Sequence, residues 1–352
     1  MSLVSCIKPI IISSTALMMI AASPAAAIVV NGTTGSVDQY DALLTNFGSV
    51  GQFHTTDGTY RYAGSGVAIA DNWVLTAGHV AAGMNSMDFY LGEGGGFGSF
   101  TDGSRTVYDS ATNWITHPKW SGNLSSGYDI ALVYFENTTF ADTASLYQGS
   151  SEIGETGTMV GYGMTGTGAT GATTFDGQKR AGQNVIDALY DTPGKRSDPD
   201  RILLADFDSG YPNDDSFGNE IPLPLEAMIA SGDSGGGLFI NDALCEDTPC
   251  LAGITSFGWG RLDGDPNSDF GDVGGFTRVS ALYDWIMSVI SPPDSGGSGG
   301  GGTGNGKKGG PKAKTGNSFV ATSVNVPEPG TLTIFGLGLA GLGLMRRRKR
   351  TA

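Results

Sequence analysis

Three histidines in 352 residues leave few candidates for a general base. His79 stands in WVLTAGHVAAG, where small residues on both sides leave room around an imidazole. Asp129 heads the apolar run DIALVYF, so its carboxylate is expected to be partly buried yet ionised. That state needs a partner such as an imidazole. Ser234 lies between Gly232-Asp233 and Gly235-Gly236 in SGDSGGGLFI. Glycines there let a substrate approach and let the N–H groups of Gly232 and Ser234 converge on one point. Hydrolysis by a serine needs these parts together: a base, a carboxylate that orients it, and N–H groups for the oxyanion. Taken singly, each part has a plainer reading. His79 could be a structural histidine and the glycine-rich stretch a flexible turn. His117 precedes Pro118 in a loop and His54 reads as an exposed hairpin residue, so neither competes as the base.

The elements that must hold these residues are short. GSGVAIA, NWVLTAG, DIALVYF, GTMVGYG, LLADF, GGLFI, LAGITSFGWG and GGFTRV are strand-like runs. Gly, Asp, Ser and Asn separate them, and the chain has 57 glycines in all. This rhythm predicts an all-β fold of antiparallel barrels or sandwiches. One amphipathic helix is expected, in SALYDWIMSVI, with Leu282, Trp285, Ile286 and Val289 on one face and Ser280 as its N-cap.

Three motifs in order then carry a resemblance: TAGH (76–79), DIAL (129–132) and GDSGG (232–236). Supporting stretches are VNGT (30–33), HPKW (117–120), GYG (161–163), GITSFGWG (253–260) and GGFTRV (274–279). Over about 28–290 the chain resembles the chymotrypsin-like (trypsin family) serine peptidases. The resemblance implies two packed six-stranded antiparallel β-barrels, about 28–145 and about 146–279, followed by a C-terminal helix at 280–290. It implies that His79 is the base, Asp129 its orienting carboxylate and Ser234 the nucleophile, with Gly232 and Ser234 forming the oxyanion hole. It assigns Met228 to the base of the specificity pocket, Gly258 and Gly274 to its walls, and Ser256-Phe257-Gly258 to the strand that meets the substrate backbone. Met228 cannot pair with Lys or Arg, so an uncharged, apolar residue before the cut is expected; Asp272 would change that if it reached the pocket. Asp233 is implied as the latch for a new N-terminus at Ile28, set free by a cut after Ala27. Val80 replaces a cysteine common in the family. A non-catalytic surface or matrix protein on the same fold is the alternative, and no triad residue is missing to favour it.

Both ends read as addresses. Residues 1–27 combine Lys8, an apolar run and Ser-Pro-Ala-Ala-Ala, as in a secretory signal peptide. Residues 291–325 are a linker rich in Gly and Ser. Residues 326–352 run Pro-Glu-Pro, a short apolar stretch and a basic cluster. That order resembles a PEP-CTERM sorting signal, which implies an exosortase-type partner, transient insertion of the apolar stretch in the membrane, and delivery to the cell surface or matrix. In an exported chain, Cys245 and Cys250 are expected to form a short-loop disulfide. Residues 28–290 hold 10 Lys and Arg against 33 Asp and Glu, a formal balance of −23. Such a surface repels phosphate and disfavours nucleic acid. No cofactor motif is visible, and the proposed chemistry needs no metal. DGDPNSD (263–269) spaces oxygens like the start of a calcium loop, but Ser268 stands where glycine is expected and no Glu closes it, so a solvated acidic loop is expected.

Overall fold

The computed structural model describes residues 28–92, 106–108, 111–190, 200–218, 221–246 and 248–291. The expected signal peptide, the linker and the C-terminal sorting segment lie outside the described residues. In chain order the first half holds β1 (Val29–Val30), α1 (Val37–Leu43), β2 (Val50–Thr56), β3 (Arg61–Ala70), β4 (Trp73–Thr76), α2 (Gly78–Ala81), β5 (Ser86–Leu91), β6 (Thr106–Tyr108), β7 (Asn113–Thr116) and β8 (Ala131–Tyr134). The second half holds β9 (Thr156–Gly161), β10 (Met164–Thr167), β11 (Gly171–Phe175), β12 (Arg180–Val185), β13 (Ala188–Leu189), β14 (Ile202–Asp206), β15 (Ala227–Met228), β16 (Gly237–Ile240), β17 (Cys250–Trp259), β18 (Val273–Arg278) and α3 (Tyr283–Ile290).

Two large antiparallel sheets dominate. One runs β6-β5-β2-β3-β4-β8-β7 and the other β12-β9-β16-β17-β18-β14-β13. Each has seven strands in an open order, so closed six-stranded barrels are not what the pairing gives. The two-residue β13 and three-residue β6 are short edge strands, which limits exposed pairing groups. A third sheet, β11-β10-β1-β15, joins the start of the described chain to the second half, with Val29 opposite Met228 and Val30 opposite Thr167.

Apolar burial explains the sheets. Val67, Ala68, Val74, Leu75, Leu132 and Val133 are fully buried on three neighbouring strands. Phe53, Phe89, Phe135 and Phe140 fill the space against them with ring centroids 4.8–6.4 Å apart. This cluster continues into the second half through Phe239, Leu251 and Ile254. Burying a side chain of this size contributes about 1.5–3 kcal/mol. Helix α3 closes the same cluster with Ile286 and Leu282 buried and Trp285 and Val289 packed on it, as the helical spacing predicts. Its start differs from expectation: Leu282 is the N-cap residue, and Ser280 Oγ instead donates to Glu152 Oε1 (2.8 Å). Glu152 also takes a two-pronged ion pair from Arg278 (2.7 Å to each oxygen), so a nearby buried carboxylate outcompetes the helix end for that hydroxyl. The disulfide between Cys245 and Cys250 is formed and staples the turn before β17.

Candidate active site

Strand β4 delivers the chain into α2, and His79 is the second residue of that single turn. Asp129 is fully buried just before β8. β4 and β8 are paired neighbours, with Thr76 opposite Ala131, so the ladder itself brings the two residues together. His79 Nδ1 lies 2.7 Å from Asp129 Oδ2, and His79 N donates to Asp129 Oδ1 (2.8 Å). A carboxylate held at both oxygens by one residue fixes the ring's orientation and the tautomer with the proton on Nδ1. Burial works against a charged His79, but the Asp129 charge and hydrogen bond outweigh it and hold its pKa above the ordinary histidine value. The side chain stays one-third exposed.

The Ser256 side chain makes a contact that its place in the sequence does not announce. Its Oγ donates to Asp129 Oδ2 at 2.6 Å, and Thr277 Oγ1 donates to the Asp129 backbone oxygen (2.9 Å). The buried carboxylate therefore has three donors, two from His79 and one from a strand of the second sheet.

Ser234 sits on a tight turn between β15 and β16. Gly232 (φ +98°) and Gly235 (φ +84°) flank it in left-handed conformations that favour glycine. A Cβ at Gly235 would lie 2.1 Å from Thr76 Oγ1 and 3.1 Å from the Ala77 nitrogen. The turn therefore presses against the segment that ends in His79. Ser65, on β3, secures it from the first sheet: its N–H donates to the Ser234 oxygen (2.7 Å) and its Oγ to the Gly232 oxygen (2.9 Å). Ser65 Oγ also accepts from Tyr162 N (3.0 Å), and Thr76 Oγ1 donates to the Ser65 oxygen (2.8 Å). Among the described residues, the N–H groups of Gly232 and Ser234 have no acceptor, and Ser234 Oγ makes no hydrogen bond to His79.

Asp233 is buried beneath the turn. Its oxygens accept from Gly163 N and Ala230 N, both at 2.8 Å. A Cβ at Gly161 would lie 2.3 Å from Asp233 Oδ1, which accounts for the glycine in GYG. Burial pushes the Asp233 carboxyl up to about 7, although the two backbone bonds and the Arg180 charge pull it down. Ile28 is fully buried, and its oxygen accepts from Thr165 Oγ1 (3.4 Å). The stretch 163–165 thus touches both Asp233 and Ile28. The φ of Ile28 is +62°, a strained conformation for a β-branched residue.

Met228 is buried on β15, and its sulfur lies 3.0 Å from where a Cβ on Gly274 would be. Gly274 pairs with Gly258 across β18 and β17. Met228 thus packs on Gly274, which in turn pairs with Gly258. Asp272 Oδ2 accepts from Ser268 N (2.7 Å), and Ser268 Oγ donates to the Ile229 oxygen (2.8 Å). Beyond Gly258, a cleft of about 400 Å³ is lined by Leu124, Ser125, Tyr190, Phe257 and Trp259.

The other histidines are structural. His117 stacks on Tyr128 at 4.7 Å and meets Trp285 edge-on at 4.8 Å, and burial pushes its pKa down to about 4. His54 is a half-buried residue of β2 against Tyr90 (4.8 Å), not an exposed hairpin residue, because GQFHTT continues as strand on both sides. Sequence reasoning missed Ser65, whose only signal is its place in a strand opposite Gln52. It also missed the convergence of Asp206, Asp208 and Asp215, for which DFD and NDD are the trace.

The trypsin family model matches residues 37–286, and a PEP-CTERM protein-sorting motif matches residues 325–349. Trypsin 5G1 of Aedes aegypti is 26% identical over 242 residues, covering 66% of this chain and 76% of that protein. Proproteinase E of Bos taurus is 37% identical over 79 residues, covering 22% of this chain and 30% of that protein. Neuropsin, a serine protease of mouse brain, aligns at 20% identity and a TM-score of 0.49 over 70% of this chain and 96% of its own. The sorting motif marks a chain directed to the cell surface or beyond. Among the described residues no helix is long and apolar enough to cross a membrane; the apolar stretch at 331–345 lies outside them. The chain belongs to the trypsin family, as a hydrolytic serine protease with a C-terminal PEP-CTERM sorting motif.

Proposed function

We propose that this is a surface-sorted serine endopeptidase that works through Ser234, His79 and Asp129. Ser234 Oγ attacks the scissile carbonyl carbon as His79 Nε2 takes its proton. The N–H groups of Gly232 and Ser234 receive the oxyanion. The C–N bond then breaks, His79 returns the proton to the leaving amine, and water hydrolyses the acyl-enzyme by the same route. The observation that carries this reading is the buried Asp129 bound at both oxygens to His79, beside a glycine-flanked serine turn with unused N–H groups. A fluorophosphonate probe should label the processed protein and fail on Ser234→Ala. Absence of labelling on the folded, processed protein would leave a binding protein on this fold.

The pocket reading follows Met228, Gly258 and Gly274: a buried thioether and two glycines suit an uncharged, apolar side chain. Activation follows from Ile28 and Asp233. A cut after Ala27 releases the strained φ of Ile28 and supplies an ammonium for a buried carboxyl that holds its proton near neutrality. Signal peptidase would then make the activating end itself. The sorting motif implies an exosortase-type partner, transient membrane insertion through the apolar stretch, and a final place at the surface or in the matrix.

A further inference from the structure

Asp206 ends β14, Asp208 follows two residues on, and Asp215 comes after the turn Pro212–Asp214. One carboxylate oxygen from each lies within 4.8 Å of the others. Asp206 is fully buried and Asp208 is 3% exposed. Ser216 N donates to Asp206 Oδ2, and Phe217 N (2.8 Å) and Gly218 N donate to Asp215 Oδ1. Asp206 Oδ1 is buried with no N–H or hydroxyl donor among the described residues, and the group that lies against Asp206 is another carboxyl, that of Asp187. Glu226 Oε1, near Asp208, is likewise buried with no such donor among the described residues.

Burying several carboxylates together is costly without positive charge. We propose that Asp206, Asp208 and Asp215 form a calcium site. An all-oxygen, carboxylate set suits a hard cation. Ca²⁺ takes about six to eight oxygens in a flexible shell and suits several protein carboxylates converging on one point, whereas Mg²⁺ keeps most of its waters and uses one or two. The 263–269 stretch spends its oxygens differently: Asp263 Oδ1 accepts from Asp265 N (2.8 Å) and Asn267 Oδ1 from Asp269 N (3.1 Å), as local turns.

The ion's place gives it a task. The loop from 207 to 226 leaves the end of β14 and returns at Ala227-Met228. Ala205 pairs with Gly274, and Ser216 Oγ donates to the Gly271 oxygen (2.9 Å). Calcium would fasten this loop to the strand end beside Gly274, and so brace one side of the Met228 pocket. The inference stands apart from the triad, since binding of the ion needs no catalysis.

Calcium titration calorimetry and thermal melts on the full chain, stripped with EDTA, test it. One Ca²⁺ should bind in about the 10⁻⁴–10⁻³ M range of extracellular modules, with a higher Tm, and Mg²⁺ should not replace it. Asp215→Asn should weaken binding at least about tenfold, the loss seen even for outer partners of a metal site. In EDTA the same variant should melt at or above the wild-type temperature, because an Asn oxygen still accepts from Phe217 N and Gly218 N while one negative charge is gone. No saturable binding up to about 10 mM Ca²⁺, beyond the weakest such modules, overturns the proposal. So does an unchanged affinity in Asp215→Asn, equal binding of Mg²⁺, or loss of binding in Asp263→Asn.

Discussion

Replacing Ser256 by Ala isolates the one donor, among the described residues, that reaches the Asp129 carboxylate from outside the His79 segment. The lost bond is 2.6 Å long, charge-assisted and buried. Hydrogen bonds to charged groups contribute about 1.5–3 kcal/mol, so urea unfolding should show a loss in that range. The second consequence is electrostatic. With one donor gone, the carboxylate holds more of its charge for the imidazole, and the imidazolium is favoured. The His79 pKa, already raised by Asp129, should rise again. If the whole bond energy passed to the imidazolium, the rise would be about 1–2 units at 1.36 kcal/mol per unit; water entering the gap will reduce that. The acid limb of kcat/KM against pH reports this pKa in the free enzyme. With a chromogenic ester, the limb should move to higher pH by a few tenths to about one unit, with kcat at high pH changed less. A limb that stays in place or moves to lower pH, with stability within about 0.5 kcal/mol of wild type as at a plain surface site, would refute the claim that Ser256 positions the carboxylate.

Gly161→Ala sets a methyl 2.3 Å from Asp233 Oδ1 and should cost about 1–3 kcal/mol, read from the urea midpoint. In the uncut chain the folded pKa of Asp233 is raised to about 7 from 3.8, so its contribution to stability is present below about pH 4 and is lost as the pH rises to about 7. Asp233→Asn should flatten that fall in a pH series of melts, and an unchanged slope would show that the residue does not titrate in this window. Cleavage of a peptide library, mapped by mass spectrometry, should occur mainly after uncharged apolar residues; dominant cutting after Arg or Lys would overturn the role given to Met228.

The motifs around His79, Asp129 and Ser234 were legible because each needs a particular residue type in a short local context: small residues before His79, an apolar run after Asp129, glycines around Ser234. The helix at 283–290 was legible from spacing alone. What escaped depends on contacts across the fold. Ser65 is an ordinary strand serine until the chain returns 167 residues later with Gly232. The Ser256 hydroxyl has no evident partner until Asp129, 127 residues away, takes its hydrogen bond. Ser280 reads as a helix cap until Glu152 does the same. The sheets' open seven-stranded order turns on short edge strands whose pairing no local pattern marks.

Ser65 also bears on timing. It reaches the Ser234 turn from the first sheet, and its two bonds to that turn span 167 and 169 positions of sequence. A polypeptide still emerging from the ribosome, or still threading through an export channel, has Ser65 long before it has the turn that Ser65 must hold. Thr76 and Tyr162 are made in between, but Gly232 and Ser234 follow only when about two-thirds of the 352 residues have been made. Until then the turn that carries Ser234 does not exist, and the first sheet alone cannot assemble the site.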